Sequence, residues 1–500
     1  MELAVVYTRA EYGIESPLVQ VEVHLSRGLP GLSIVGLPEA AVKESKDRVR
    51  AAILNSGFEF PQRRITINLA PADIPKQGGR YDLPIAIGVL AASGQVKVER
   101  LADCEFIGEL ALGGELRGVR GVLPVVVAAS QINRSVVAPT ENGAEAGLVK
   151  NSDCFVAGHL LSVCAWLNEL EPLSVATGYI ESSQNLIADL SDVKGQEQAK
   201  RALIVAASGG HNLLFVGPPG TGKTMLASRL PGILPHLTEQ AALETAAVAS
   251  ISAHGFDASS WGQPPFRNPH HTASAPALVG GGSNPMPGEI SLSHNGVLFL
   301  DELPEFSRHV LEVLREPMES GRIVISRAAR QAEFPARFQL VAALNPCPCG
   351  YLGDQQRQCR CTPGQIEHYR NKISGPLLDR IDLQVEVPRV AYRELRHSTD
   401  AGRSSAEIKA LVIQTQNIQR QRQVGKLNAT LNINEMEKHM GLSDEQLNFL
   451  EHVVDKLRLS ARAYHRIIKV SRTIADLDAS KKITQAHLAE AISYRCFDRM

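Results

Sequence analysis

The segment GPPGTGKT, Gly217 to Thr224, constrains the fold of this 500-residue chain more than any other feature. It follows the apolar run NLLFV and precedes the helix-forming run MLASRL, so the pattern GxxxxGK[ST] lies between a strand and a helix. Such a loop wraps backbone N–H groups around a phosphate at the start of a helix. The sequence therefore predicts an α/β domain that binds a nucleoside triphosphate.

The residues of this loop have different predicted tasks. Lys223 places a positive charge on the β- and γ-phosphates, and Thr224 offers a hydroxyl oxygen to Mg²⁺. The other cofactor-binding residues form the turn around the phosphates; they are Gly217, Pro218, Pro219, Gly220, Thr221 and Gly222. ATP and Mg²⁺ are therefore the predicted cofactors.

Two later apolar runs also end in polar residues. GVLFLDE closes with Asp301 and Glu302, and FQLVAALNPCP carries Asn345 after its apolar part. Ligands of open α/β sheets bind at the carboxyl ends of the strands. We expect Asp301 to hold Mg²⁺ and Glu302 to activate the attacking water. Asn345 would orient that water or sense the γ-phosphate.

Length and composition limit the class of protein. Five hundred residues are too many for one hydrophobic core, so we expect two or three domains. The net charge of -1 indicates no nucleic-acid partner by itself, although residues 401–500 hold 16 Lys and Arg against 11 Asp and Glu. The chain has no apolar run of membrane-spanning length and no basic start followed by an apolar segment. We therefore expect a cytoplasmic protein without a membrane partner.

Sequence patterns divide the chain into four parts and predict an α/β multidomain protein. Residues 1–170 mix alternating and helical patterns, as in an α+β domain, and residues 171–190 have the composition of a linker. Short apolar runs alternate with helical stretches over residues 191–395, which predicts a parallel α/β core. Residues 396–500 show only helical patterns and predict an all-α lid.

Local patterns add specific predictions. Alternation predicts strands from Val19 and from Arg64, and a helical pattern begins at Ala40. Asp82 precedes an apolar helical run and is the expected N-cap of that helix. SDEQ from Ser443 predicts a capping box at the start of a lid helix.

Four of the eight cysteines lie within fifteen positions, in a CxC, nine-residue gap, CxC pattern. They are Cys347, Cys349, Cys359 and Cys361. Four thiolates suit a closed tetrahedral zinc site that would hold a loop together. Because CxC is less typical of zinc sites than CxxC, reduced thiols in a loop remain an equal alternative.

The ordered set of phosphate loop, LFLDE, LNP, LLDRID and a helical segment SxRxxxRxxxVxRTIADL resembles AAA+ ATPases of the magnesium-chelatase-like group. FRNPHHTASAPALVGGG, PGEISLSHNGVLFLDELPEF and NPCPCGYLGD are similar to the ComM/YifB family, whose bacterial members resemble DNA branch-migration helicases linked to natural transformation. The likeness covers essentially the whole chain. It implies an AAA+ core and a homo-oligomer, expected to be a hexamer.

The resemblance also implies roles for individual residues. Asn345 would be the first sensor, Arg380 an arginine finger that acts on a neighbouring subunit, and Arg462 the second sensor on the lid. Arginine suits a phosphoryl transition state because its fork stays charged and binds two oxygens. For Arg380 and Arg462, the alternative is an arginine that is simply exposed to solvent.

A basic hairpin is implied at residues 319–338. The alternation in RIVIS supports a hairpin independently of the resemblance, and Arg322, Arg327 and Arg330 make it locally basic. Such a hairpin could line the pore of a ring and grip DNA phosphates. An exposed hairpin with solvated arginines is the alternative.

The N-terminal domain resembles a Lon-protease-like domain. A protease would need a Ser near KQGGRYDLPIAIG and a Lys near GGELRGVRGVLP, and neither stretch has one at the required place. We expect a non-proteolytic domain that clamps DNA or supports assembly.

These observations predict an ATP-dependent DNA motor, a ring-forming helicase that promotes branch migration in recombination or natural transformation. Its partner would be single-stranded or branched DNA. One alternative is a magnesium-chelatase-type motor subunit, disfavoured here by the lack of a DxSxS motif and by the presence of the N-terminal domain. The other is an AAA+ chaperone that remodels protein.

Overall fold

The computed structural model describes residues 2–178, 188–282, 285–327, 330–354, 356–390, 402–457 and 459–495. Within these residues, the chain forms a mixed N-terminal unit, a core built on a parallel sheet and a helical C-terminal unit. The predicted α/β multidomain class is confirmed. The likeness of the N-terminal unit to a Lon-protease domain stays a prediction.

The N-terminal unit is built on one large sheet with helices beside it. Its strands are β1 (Leu3–Arg9), β2 (Leu18–Ser26), β3 (Gly31–Val35), β4 (Arg64–Ala70), β5 (Cys104–Phe106), β6 (Glu109–Leu110), β7 (Leu116–Arg117), β8 (Ser135–Pro139), β9 (Cys154–Ala157) and β10 (Ser174–Val175). Eight of them form a sheet in the order β10-β9-β8-β5-β1-β2-β4-β3, and β6 pairs with β7. The helices are Ala40–Asn55, Asp82–Ala92, Val122–Ser130, Gly143–Ala146 and Leu160–Leu167.

The predicted strands from Val19 and Arg64 and the predicted helix from Ala40 are confirmed as β2, β4 and the helix Ala40–Asn55. The N-cap prediction for Asp82 is wrong. A 3₁₀ turn, Gly79–Tyr81, leads into the helix, so Tyr81 is the N-cap and Asp82 the first helical residue. The Asp82 carboxylate is buried and accepts hydrogen bonds from Ser45 and Arg48 instead. A tertiary contact has taken the place of a local cap.

The core contains a five-stranded sheet in which all neighbouring strands run parallel. The remaining strands of the chain are β11 (Leu213–Val216), β12 (Phe266–Arg267), β13 (Gly280–Gly281), β14 (Met286–Pro287), β15 (Val297–Leu300), β16 (Arg322–Arg327), β17 (Arg330–Pro335), β18 (Gln339–Leu344) and β19 (Leu383–Glu386). The sheet order is β12-β15-β18-β11-β19. Fully buried apolar side chains in β11, β15 and β18 match the near-continuous hydrophobic runs expected of a sheet covered on both faces.

Helices flank the core sheet and form the C-terminal unit. Those of the core are Glu197–Gly209, Lys223–Ile233, Glu239–Ser250, Ala275–Val279, Glu289–Leu292, Arg308–Glu312, Arg315–Ser320, Pro363–Arg370 and Gly375–Leu378. Those of the C-terminal unit are Ser405–Arg422, Ile433–His439, Asp444–Leu457, Ala461–Leu477 and Gln485–Ser493. Ile467 and Ile474 of the long helix Ala461–Leu477 share one apolar cluster with Phe215 of β11, so the lid packs directly on the core.

The predicted capping box at Ser443 is confirmed. Its Oγ accepts from the Gln446 N–H at 3.4 Å, and the Gln446 side chain accepts from the Ser443 N–H at 3.0 Å. Within the described residues, no helix has both the length and the apolar composition needed to cross a membrane.

The N-terminal unit contacts the core at two places. Leu123 and Ala246 share a small apolar cluster, and the Gly121 N–H donates to the Ser250 carbonyl at 3.1 Å. On the other side, a Cβ placed on Gly13 would lie 3.4 Å from the Glu333 carbonyl oxygen of β17. The N-terminal unit therefore packs against the hairpin as well as against the helix Glu239–Ser250.

Candidate functional site

Three neighbouring strands deliver the predicted site residues to one edge of the core sheet. β11 ends at Val216, directly before the phosphate loop, and it pairs in register with β18, whose last residue precedes Asn345. β15 ends at Leu300, directly before Asp301. Because the strands are parallel, their carboxyl ends meet at the same edge.

Lys223 is mostly buried and ties two of these segments together. Its Nζ donates to the carbonyl oxygens of Gly217 at 2.7 Å and Pro218 at 2.8 Å, and to Asn345 Oδ1 at 3.1 Å. Burial lowers the pKa of Lys223 to about 8, although Asp301 and Glu302 act in the opposite direction. The ammonium is thus held at the base of the loop, next to the predicted first sensor.

The geometry fits a nucleotide with Mg²⁺. Gly220 and Gly222 have positive φ values of 76° and 89°, which favour glycine, and a Cβ on either would meet no atom within 4 Å, so no neighbouring atom fills the space beside them. Thr224 Oγ1 donates to Asp301 Oδ2 at 2.6 Å, which places two hard oxygen ligands side by side. Hydroxyl and carboxylate oxygens are the ligands that Mg²⁺ prefers.

Glu302 lies beside this pair in a left-handed backbone conformation with φ of 52°. Its N–H donates to Asp301 Oδ1 at 2.9 Å, and its side chain is about half exposed, at 53%. His271 Nδ1 lies 3.3 Å from Glu302 Oε2. The sequence did not predict that His271 would contact Glu302, because two adjacent histidines form no recognisable motif.

Gln196 also contacts the phosphate loop, and the sequence patterns did not single it out. It lies at φ of 59°, just before the first core helix, and its Nε2 donates to the Thr221 carbonyl at 3.3 Å and to that of Pro388. A Cβ on Gly217 would lie 2.2 Å from the Val387 carbonyl oxygen. The segment after β19 therefore forms one wall of the phosphate loop.

Arg380 lies at the opposite edge of the sheet. It precedes β19, and β19 is in register with β11, with Leu383 opposite Leu213. One four-residue strand, about 13 Å at 3.3 Å per residue, separates this edge from the phosphate loop. The Arg380 guanidinium donates to the Pro376 carbonyl at 2.6 Å and pairs with Glu319. It does not face the nucleotide site of its own chain.

Arg462 lies near Arg380 rather than near Lys223. Its guanidinium is 3.9 Å from a carboxylate oxygen of Asp379, the residue before Arg380, and its side chain is 60% exposed. Arg466, on the next turn of the same helix, pairs with Asp382. The lid thus presents its first arginines at the amino edge of the sheet.

A groove of about 1000 Å³ runs along this amino edge. Residues just before the strands line it, including Asn212, Phe338 and Asp382. The positively charged residues along it are Arg337, Arg380, Arg420, Lys426, Arg466 and Lys469. The sequence did not predict this groove, because its walls come from helices and strands far apart in the chain.

β16 and β17 form the predicted hairpin. Arg327 pairs with Arg330 beside its turn, and Arg322 pairs with Pro335 at its base. The Arg322 guanidinium lies 3.3 Å from Glu333. Five residues, about 17 Å of strand, separate Arg322 from the turn. The backbone of Arg322 therefore lies at the opposite end of the hairpin from the backbones of Arg327 and Arg330.

The four predicted cysteines converge, and their sulfur atoms all lie within 4.8 Å of one another. The structure holds them as free thiols. They lie in the loop that follows Asn345, on the same edge of the sheet as Lys223.

The lowered pKa of Lys223 predicts a pH dependence of ATP binding. In the free protein, the ammonium loses its proton as the pH rises through about 8, and only the charged form attracts phosphates. We therefore expect the Kd for ATP to rise above that pH by up to about tenfold per unit. Titration of a fluorescent ATP analogue from pH 7 to 9.5 measures this, and a flat profile would contradict it.

Models of the magnesium chelatase families match three parts of the chain. "Magnesium chelatase, subunit ChlI" matches residues 189–395, "Subunit ChlI of Mg-chelatase" matches residues 21–142, and "Magnesium chelatase, subunit ChlI C-terminal" matches residues 402–495. The competence protein ComM of Haemophilus influenzae is 54% identical over 506 residues, with 100% of this chain and 99% of the relative covered. The chain belongs to the ComM/YifB family.

Other members of this family and a chelatase subunit are also similar to it. YifB of Salmonella typhimurium is 52% identical over 500 residues, covering 100% of this chain and 98% of the relative. The magnesium-chelatase 38 kDa subunit of Cereibacter sphaeroides is 28% identical over 219 residues, covering 39% of this chain and 58% of the relative. The magnesium-chelatase-like group of AAA+ ATPases therefore includes this chain.

The name of one matching family bears on an argument made from the sequence. The N-terminal domain was expected to separate this chain from chelatase subunits, yet the family that matches residues 21–142 also carries the chelatase name. The presence of that domain does not discriminate between the two activities. The full chain aligns with ComM, whereas 39% of it aligns with the chelatase subunit.

Proposed function

We propose that this protein is an ATP-driven DNA motor that moves branched DNA during recombination or natural transformation. The observation that carries the proposal is the end-to-end match with a competence protein, since competence is the uptake of DNA by a cell. The nucleotide site at the carboxyl edge of the core sheet supports ATP as the source of energy.

Each residue of the site has a role in ATP hydrolysis. Lys223 binds the phosphates. Asn345, which accepts a hydrogen bond from Lys223, orients the γ-phosphate or the attacking water. Glu302 accepts a proton from the attacking water, with His271 holding its carboxylate. Thr224 and Asp301 hold Mg²⁺, which neutralises charge on the phosphates.

The amino edge of the sheet supports assembly into a ring. Arg380 and Arg462 lie there, one strand length from the phosphate loop of their own chain. A head-to-tail interface would place this edge against the phosphates of a neighbouring subunit, and such interfaces form a ring when the rotation between subunits closes. We propose a hexamer in which Arg380 and Arg462 complete the neighbour's site.

The hairpin of β16 and β17 is the proposed DNA grip. The arginines beside its turn, Arg327 and Arg330, would contact phosphates of single-stranded or branched DNA, and Arg322 would contribute less because Glu333 neutralises it. Phosphate contacts hold DNA without reading its sequence.

Removing the two arginines at the turn should uncouple hydrolysis from DNA movement. For Arg327→Ala/Arg330→Ala, we expect unchanged ATPase activity without DNA, loss of branch migration, and a log–log salt slope of DNA binding smaller by about 1.4 to 1.8. Arg322→Ala is the matched control and should change that slope little. Branch migration at the wild-type rate by the double variant would remove the hairpin from the proposal.

The alternatives are a chelatase-type motor and a protein-remodelling chaperone. Of these two, the matches to chelatase families favour the chelatase-type motor. ATP turnover measured with single-stranded, duplex and four-way DNA, with a porphyrin and with an unfolded polypeptide separates all three. We expect stimulation by DNA. Stimulation by porphyrin or polypeptide alone would contradict the DNA motor.

A further inference from the structure

The four cysteines after β18 are arranged as one site rather than as two pairs. Sγ–Sγ distances are 3.4 Å between Cys347 and Cys349, 3.6 Å between Cys347 and Cys359, and 3.6 Å between Cys349 and Cys359. A disulfide requires about 2.05 Å. Four ligands at 2.3 Å from one tetrahedral ion lie about 3.8 Å apart. The observed spacing is therefore close to that of a mononuclear metal site.

The surroundings suit thiolate ligands. Cys347 is fully buried, and the other three side chains are half-buried, so the site is closed on one side by protein. Backbone N–H groups point at two of the sulfurs: Cys349 N–H donates to Cys361 Sγ at 3.4 Å, and Cys361 N–H donates to Cys359 Sγ at 3.4 Å. Hydrogen bonds of this kind orient sulfur ligands and stabilise their negative charge.

The cysteine loop, residues 346–362, touches the phosphate loop. Gly350 has φ of 84°, and a Cβ on it would lie 2.7 Å from Pro219 Cδ, so its backbone packs directly on that proline. The Gly350 N–H donates to the Cys347 carbonyl at 2.9 Å. Displacement of Cys347 would therefore move the residue that supports Pro219.

The cysteine loop also contacts the segment that follows β19, which forms one wall of the phosphate loop. Asp354 forms an ion pair with Arg389 at 2.9 Å, and the Arg389 guanidinium lies 5.6 Å from the centre of the Tyr351 ring. Arg389 lies two residues after Val387, whose carbonyl oxygen contacts Gly217. The cysteine loop thus lies between two parts of the nucleotide site.

We propose that Cys347, Cys349, Cys359 and Cys361 bind one zinc ion, and that this ion holds the phosphate loop in its ATP-binding form. Zinc is the ion that four thiolates in a closed tetrahedral site select most often among divalent metals. Without the ion, the four sulfur atoms lose the group that joins them, and Gly350, which is bonded to the Cys347 carbonyl, is held less firmly against Pro219. The zinc site stands by itself, whereas its effect on ATP binding rests on the proposed function.

The metal content of the purified full-length chain tests the site. Protein prepared under reducing conditions without chelators should carry about one zinc per chain, because four thiolates fill one tetrahedral site. Cobalt exchanged into the protein should show the visible absorption of tetrahedral cobalt thiolate. Iron in place of zinc, no metal, or two disulfides would each overturn the site.

Cys359→Ser and Cys361→Ser test the effect on ATP, with Cys164→Ala as the control because Cys164 is buried in the core of the N-terminal unit. We expect both serine variants to lose zinc and to bind a fluorescent ATP analogue about 10- to 100-fold more weakly, with the control unchanged. Wild-type protein stripped by a chelator should show the same loss and recover when zinc is returned, which covers variants that fail to fold.

The outcomes separate the two proposals. Zinc-depleted protein that binds the analogue as tightly as the wild type would overturn the link between the metal and the phosphate loop. Zinc-loaded wild-type protein that binds no ATP would overturn the proposed function and that link together, and would leave the zinc site supported by its metal content.

Discussion

Lys223→Ala is expected to weaken ATP binding by roughly 100-fold, whereas Glu302→Gln should bind ATP normally and hydrolyse it at least about 100-fold more slowly. The difference follows from what each side chain contacts. Lys223 is buried against the phosphate loop and supplies its charge. Glu302 lies beyond Asp301 with an exposed carboxylate, where it can reach water but is not needed to hold phosphate.

Two measurements on three variants settle this prediction: equilibrium binding of a fluorescent ATP analogue and single-turnover hydrolysis. Glu305→Gln is the matched control, because Glu305 is an exposed carboxylate three residues further on, near Lys372 at 3.9 Å. It should leave both quantities unchanged. An equal loss of binding in the Lys223 and Glu302 variants would refute the separate roles.

Arg380→Ala is expected to lower ATP turnover by about 1000-fold without weakening ATP binding to the same chain, because an arginine finger stabilises the transition state. Because Arg380 lies far from the phosphate loop of its own chain, we also expect it to act on the ATP site of a neighbouring subunit. Mixing Arg380→Ala subunits with Lys223→Ala subunits should restore activity, since about one interface in four would join an intact site to an intact arginine in a head-to-tail ring.

The control for this mixing experiment is a second pair of variants. Lys223→Ala mixed with Glu302→Gln leaves every subunit with a damaged site at the same edge of the sheet, so no interface is complete. Activity should recover in the first mixture and stay low in the second. Failure of both mixtures, with co-assembly shown by mass spectrometry, would count against action across the interface.

The nucleotide site could be predicted largely from the sequence because its parts are local to strand ends. The phosphate loop, Asp301 and Asn345 each follow an apolar run, and a parallel sheet brings such ends to one edge whatever the rest of the chain does. The capping box at Ser443 was predictable for the same reason, since its two partners lie three residues apart. Two groups that are close in the sequence can meet in only a few backbone conformations, so their contact is easier to predict.

Other features were decided by the tertiary structure alone. Asp82 lost its predicted capping role because Ser45 and Arg48, more than thirty residues away, meet its carboxylate in the core. Gln196 reaches Pro388 across 192 positions, and no periodicity or motif connects them. The edge on which Arg380 lies follows from the register of β19 against β11, a contact between segments about 170 residues apart.

The cysteine site depends both on the sequence and on the tertiary structure. Their spacing in the sequence predicted a site for one ion but left reduced thiols equally open, because CxC pairs can face in any direction. The fold brings the four sulfurs within 4.8 Å of one another and sets Gly350 against Pro219. The sequence by itself therefore determined which groups are available for chemistry. Only packing between distant segments decided which of them meet, because burial and close contact are properties of the whole chain.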